Sequence, residues 1–185
     1  MKKIHLLLFP LVVSVSAFGQ ETSFGIKAGV NYSTISGDAS GVESKIGFHA
    51  GVFGIIKPID ALGIQPEMVF SRQGAQASAN NDVKFHYDYL NIPVMLNFYP
   101  TETFFLQAGP QLGFLVSAKA TDGNQTEDIK SQLNTTDFSL GLGMGFDLSH
   151  TVIGFRFNLG LNSTSDDEDA TYPNQVAQVS VGFKF

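Results

Sequence analysis

Residues 137–148 read DFSLGLGMGFDL, with Phe138, Leu140, Leu142, Met144, Phe146 and Leu148 at every second position. The residues between them are Ser139, Gly141, Gly143, Gly145 and Asp147. Strict alternation defines a β-strand with two unlike faces. In a soluble sheet the apolar face would meet a core and the other face would meet water. Here the second face is mostly glycine, which is a poor solvent face and a poor strand former. The fold turns on what each face meets.

The same period recurs along the chain. It runs through Phe24–Tyr32, Ile46–Ile56, Leu62–Ser71, Leu90–Phe98, Phe104–Val116, Ile153–Leu161 and Ala177–Phe185. With the opening stretch this predicts eight strands. Short connections at Lys57–Ala61, Tyr99–Thr103 and Ser149–His150 alternate with longer ones near Ser33–Ser44, Arg72–Asp82, Ala118–Thr135 and Asn162–Gln175. The longer ones are rich in Ser, Asn, Asp, Gly and Thr, as loops are. Long loops therefore gather at one end and tight turns at the other.

An even strand count, strands of about ten residues, one apolar face throughout and long loops at one end are the signature of a transmembrane β-barrel. Hydrocarbon cannot satisfy backbone N–H and C=O groups, so a spanning sheet must close on itself. The predicted fold class is all-β: an eight-stranded antiparallel up-and-down transmembrane β-barrel. The large apolar residues then face lipid. The glycines face a lumen just wide enough for side chains to fill it. Phe24, Phe98, Tyr99, Phe104, Phe146, Phe183 and Phe185 form one aromatic belt at the tight-turn end. Tyr32, Phe70, Tyr87, Tyr89, Phe114 and Phe138 form a second towards the loops. Phe85, Tyr87 and Tyr89 are out of phase with Leu90 onward, which predicts a bulge or register break near Tyr89.

Composition narrows the class. The 185 residues suggest one domain. Charged residues are only 15% of the chain, below the roughly 25% of a soluble domain. The absence of cysteine removes disulfides and thiolate metal sites. A net charge of -6 argues against a nucleic-acid partner. Met1–Gln20 combines Lys2 and Lys3, a short apolar run from Ile4 to Val13, and the small residues of Ala17-Phe18-Gly19. This reads as a secretory signal peptide, residues 1–19, ahead of a barrel domain at 20–185. Cleavage after Ala17 or Gln20 is an alternative.

Four segments carry a family resemblance: GIKAGVNYSTISG (Gly25–Gly37), DYLNIPVMLNFYP (Asp88–Pro100), AGPQLGFLVSAK (Ala108–Lys119) and DFSLGLGMGFDL. Tyr89–Pro93 and Gly109–Gly113 are the most specific parts. The chain resembles the PorT-like outer-membrane β-barrel family from about Phe24 to Phe185. The resemblance implies an eight-stranded barrel in a Gram-negative outer membrane, mostly without assigned activity. Val179, Val181, Phe183 and terminal Phe185 likewise resemble the C-terminal signal read by the barrel-assembly machinery.

The polar lumen set comprises Lys27, His49, Glu67, Asp147, Arg156 and Lys184, with Gln65, Gln107, Gln111 and Asn158. Both signs occur, and buried charge is costly unless paired, so a plug of ion pairs is expected. A tight turn at Ser149–His150 would set Arg156 opposite Gly143, with Glu67 its expected carboxylate. The function expected is non-enzymatic: a filled, membrane-anchored scaffold or binding module that acts through its long loops, with Lys119 and Thr121–Thr136, the longest loop, the natural candidate for partner contact. The expected surroundings are outer-membrane lipid and the assembly machinery, with no cofactor and no metal. A narrow solute pore is the alternative. A rim hydrolase using Ser71, His86 and Asp88 is a weaker one, since no nucleophile elbow is present. The acidic run Asp166–Asp169 is contiguous, unlike the spaced ligands of a calcium loop, and reads as a solvated loop.

Overall fold

In a computed structural model, residues 21–35, 42–77, 83–122, 125–163 and 173–185 are described. The expected leader, residues 1–19, and the acidic run Asp166–Asp169 lie outside them. The strands are β1 (Glu21–Ile35), β2 (Val42–Ile59), β3 (Leu62–Ala77), β4 (Val83–Phe98), β5 (Phe104–Asp122), β6 (Gln125–Asp128), β7 (Thr136–Asp147), β8 (Thr151–Ser163) and β9 (Pro173–Lys184). A 3-10 turn at Lys130–Gln132 precedes β7.

Every strand pairing is antiparallel, and the sheet closes. The order β4-β3-β2-β1-β9-β8-β7-β5 is joined into a ring by β4 against β5. β6 lies outside the ring, folded back on β5 from Asp122↔Gln125 to Lys119↔Asp128. The barrel wall thus has the eight strands the sequence predicts. Closure leaves no open edge within the wall, as hydrocarbon demands.

The alternation of β7 becomes a clean division of faces. Leu140, Leu142, Met144 and Phe146 are exposed on the outside, while Ser139 and Asp147 are buried within. The other strands repeat this, with Ile26, Val52, Met68, Leu96, Phe155 and Val181 outside. Glycine makes the lumen possible where a long side chain must enter. Gly143 pairs with Arg156, and a Cβ there would stand 2.3 Å from the Phe155 carbonyl oxygen and 2.9 Å from Gln107 Nε2.

The wall is taller than expected on one side. Arg72–Ala77 and Ala118–Asp122, read as loop, continue β3 and β5, and β4 begins at Val83 rather than Leu90. The β4–β5 ladder climbs to Val83↔Asp122, whereas the β5–β7 ladder stops at Phe114↔Thr136. The expected break near Tyr89 occurs where Asp88↔Ser117 gives way to Tyr89↔Leu115. The extra residue is Val116 on β5, so β4 keeps its phase throughout.

That phase corrects the aromatic belts. Tyr87 and Tyr89 share the parity of Asn91, Met95 and Asn97 and are buried inside the barrel. Tyr99, assigned to the tight-turn belt, is likewise buried. All three are lumen residues.

Candidate functional site

The lumen is built in three tiers. At the tight-turn end Phe53, Ile55, Tyr99, Phe105 and Val152 form an apolar cluster. At the loop end Tyr87, Tyr89, Leu115 and Ala118 form a second, with Phe85, Ile129 and Leu133 packed on it. Ile129 and Leu133 flank the 3-10 turn, so the connection from β6 to β7 closes the barrel from above. The polar network lies between the two clusters.

Glu67 is the centre of that network. Arg156 donates to it from Nη1 (3.0 Å to Oε2) and Nη2 (2.6 Å to Oε1). Lys27 Nζ donates to Oε2 at 3.1 Å and Gln65 Nε2 to Oε1 at 2.7 Å. Arg156 Nη2 also donates to Gln107 Oε1 at 2.9 Å, and Asn97 Nδ2 to Gln65 Oε1 at 2.7 Å. A second knot surrounds Asn31. Its Oδ1 lies 2.7 Å from His49 Nδ1 and accepts from Gln178 Nε2 at 3.0 Å. Its Nδ2 reaches Ser71 Oγ at 2.9 Å. Gln111 Nε2 donates to Ser139 Oγ at 3.0 Å, and Asn158 Nδ2 to Gln178 Oε1 at 3.0 Å.

The third knot lies beside the lower cluster. Asp147 pairs with Lys57 at 3.1 Å and with Lys184, and it accepts from the Tyr99 hydroxyl at 3.1 Å. Lys57 Nζ lies 4.0 Å from the Tyr99 ring centroid, a cation–π contact. A void of about 10 Å³ bordered by Lys27, Phe53, Gln65 and Val152 holds one water at most.

All six polar residues singled out in the sequence therefore point inward; Lys27, Glu67, Asp147, Arg156 and Lys184 are joined in ion pairs, and His49 is held by Asn31 instead. Sequence reasoning missed Asn31, Lys57, Tyr87, Tyr89 and Tyr99, each of which has the parity of a lumen residue already recognised. Val179, Val181, Phe183 and Phe185 are exposed on the outer face.

Ser71, His86 and Asp88 do not form a catalytic group. Ser71 is buried in the lumen, where it binds Asn31 and Gln73. His86 and Asp88 have the opposite parity on β4 from the lumen-facing Tyr87 and Tyr89. The Asp88 carboxylate is taken by Arg72, through Nε at 2.7 Å and Nη2 at 2.8 Å. Among the described residues no His, Cys, Asp or Glu cluster is arranged to hold a metal ion.

A closed, eight-stranded wall with a lipid-compatible exterior and a polar, filled interior defines a transmembrane β-barrel. The family model described as outer membrane protein beta-barrel domain matches residues 18–166, and the chain belongs to that family. Among solved structures it is similar to Ail, the attachment invasion locus protein of Yersinia pestis, with TM-score 0.55 and 18% identity over 89% of this chain and 99% of that one. It is also similar to Neisserial surface protein A, with TM-score 0.62 and 14% identity over 89% of this chain and 99% of that one. These likenesses show the fold. No curated protein matches the sequence.

Proposed function

We propose that the chain is an exported outer-membrane protein of the PorT-like branch, in which the barrel is a sealed, non-enzymatic anchor and the rim and long loops carry binding. The observation that supports this reading is the pair of apolar clusters closing the two ends of the lumen. A solute path would have to cross both, and the network between them is tied together by the ion pairs of the wholly buried Glu67 side chain, while Asp147 holds Lys57 and Lys184 beside the lower cluster. Residues 1–19 act as the leader. The lipid-facing run Val179, Val181, Phe183 and Phe185 serves as the recognition element for the assembly machinery, and the lumen network is structural rather than a binding site.

The test is planar-bilayer recording on refolded protein, paired with gel mobility before and after boiling. The anchor reading expects a heat-shifted band, because a closed barrel resists SDS until heated, and no steady conductance. Stable single-channel steps from heat-shifting protein would refute the seal and favour the pore. Protein that stays soluble without detergent and shows one band would refute the membrane barrel itself.

A further inference from the structure

The chain contains 11 Lys and Arg residues. Lys2 and Lys3 lie in the leader, and Lys27, Lys57, Arg156 and Lys184 lie in the lumen network. The other five are Lys45, Arg72, Lys84, Lys119 and Lys130, and all of them fall on the tall side of the wall. Cross-strand partners share a face, which sets the outer surface of β3–β6 in rows. Arg72, Asp88 and Ser117 form the first row; His86, Lys119 and Asp128 the second; Lys84, Thr121 and Thr126 the third. All of these except Lys84 and Asp128 line an open cleft of about 300 Å³, within the range of small-ligand sites.

The height of this cleft is fixed by its lower edge. The Arg72 guanidinium carbon lies 5.5 Å from the centroid of the Phe48 ring, and Phe48 packs on Phe70 at 6.1 Å. Phe70 belongs to the loop-side aromatic belt, where headgroups begin, and Phe48 lies against it. The charges do not cancel. Asp88 is committed to Arg72, and Asp128 accepts from the Lys130 backbone amide at 2.9 Å. Among the described residues no carboxylate lies within ion-pair distance of Lys45, Lys84, Lys119 or Lys130. Lys45 Nζ donates to the Phe85 carbonyl at 2.9 Å and Lys130 Nζ to that of Val116 at 3.0 Å.

We propose that this cleft is a phosphate site, built from Arg72, His86 and Lys119 with the hydroxyls of Ser117 and Thr121, and that it holds the headgroup of a phosphorylated glycolipid of the outer leaflet. Guanidinium, ammonium and hydroxyl donors together match a phosphate monoester. Desolvation and the neighbouring Lys84 and Arg72 push Lys45 down to about 8. Desolvation and the cations Lys45, Arg72 and Lys84 also lower the His86 pKa, against the opposing pull of Asp88. Burial is the larger cause of both shifts, and the neighbouring cations add to it. A bound phosphate would raise the His86 pKa, so binding should strengthen as pH falls through that value. The proposal rests on the reading that the long loops face outward.

The experiment is native mass spectrometry of the refolded full chain in zwitterionic detergent, titrated with diphosphoryl lipid A or with its dephosphorylated form. Phosphorylated lipid is expected to be retained at least roughly tenfold better, a difference of about 1.4 kcal/mol. Lys119→Gln, which breaks no ion pair, should remove most of that preference, and Arg72→Gln should do the same. Equal retention of the two lipids would overturn the proposal, as would unchanged retention by both variants. Inorganic phosphate is the third arm, followed through the His86 ring resonances. Displacement of the lipid at millimolar phosphate would assign the site to free phosphate and overturn the lipid assignment. A heat-shifted band from each variant separates loss of the site from loss of the barrel, so failure here leaves the anchor reading standing.

Discussion

Glu67→Gln should destabilise the barrel more than Arg156→Gln, although the two residues are partners. The reason is charge count. Lys27, Arg156 and Glu67 form a buried triad of net charge +1, with the Glu67 and Arg156 side chains 0% and 5% exposed, so solvent screens little. Removing Arg156 takes away three hydrogen bonds but leaves the neutral Lys27–Glu67 pair. That loss costs about 1–3 kcal/mol. Removing the Glu67 carboxylate strands two cations. Lys27 Nζ and Arg156 Nη1 touch the same Oε2 at 3.1 and 3.0 Å, so they lie no more than about 6 Å apart. At an effective dielectric constant of about 20, their uncompensated repulsion is roughly 3 kcal/mol or more. With the lost hydrogen bonds the total falls at about 3–5 kcal/mol, as found when a buried ion pair is broken from one side. Such a cost is a large share of a typical folding free energy of about 5–15 kcal/mol. The chain has no Trp. Urea unfolding in phosphatidylcholine vesicles would therefore be followed by circular dichroism and by the SDS-resistant band. The double variant should fall short of the sum of the single costs. Arg156→Gln costing as much as Glu67→Gln, or both costing under about 1 kcal/mol, would refute the triad as a buried, unscreened unit.

Three further outcomes are measurable in the same vesicle assay. Leu142→Arg places a cation on the lipid face of β7, where Leu142 pairs with Ala108 and Phe157; the expected cost is about 2–4 kcal/mol, and a cost near zero would mean that this face meets water. Phe105→Ala empties the lower cluster and should cost about 3–5 kcal/mol, with a value under about 1 kcal/mol ruling out a packed plug. Gly143→Ala meets the Phe155 carbonyl oxygen at 2.3 Å, whereas a Cβ at Gly154 meets only Ser180 Oγ, at 3.3 Å. The first should reduce the yield of SDS-resistant barrel severalfold and the second should not, and equal yields would overturn the close-approach account.

The barrel and most of its lumen were legible because a strand has period 2. Once Phe138–Leu148 was read as two faces, Asp147 had to share a side with the glycines, and Arg156 had to enter opposite Gly143. The errors share one physical source. Tyr87, Tyr89 and Tyr99 were assigned by chemistry, since aromatic residues suit a membrane interface, when their parity placed them inside. An apolar side chain that plugs a lumen and one that faces lipid have the same composition, and only phase separates them. Lys57 was lost in the same way, because the strand was ended at Ile56 while β2 runs to Ile59. The upper parts of β3, β4 and β5 look like loop in the sequence for another reason. Strands that rise clear of the bilayer meet water outside, so the apolar alternation fades although the ladder continues. Arg72, His86 and Lys119 lie in that stretch, and a sequence pattern tuned to lipid-facing residues cannot see them.

The apolar tiers and the polar network depend on one another. A carboxylate with two cations in a wet tube would be screened and weakly bound. Between two apolar clusters it is dry, and each charge then requires its partner. On the anchor reading proposed above, the same closure that makes the network rigid removes the lumen as a path for solutes. Lys27, Lys57, Arg156 and Lys184 are spent on Glu67 and Asp147, which leaves the other five cations of the folded domain near the rim, all on the β2–β6 side. A barrel that needed positive charge only to fill its lumen would have no reason to gather the remainder on one sector just above Phe48 and Phe70. If the cleft binds as proposed, recognition by this protein lies on its outer wall at headgroup height and not along its axis.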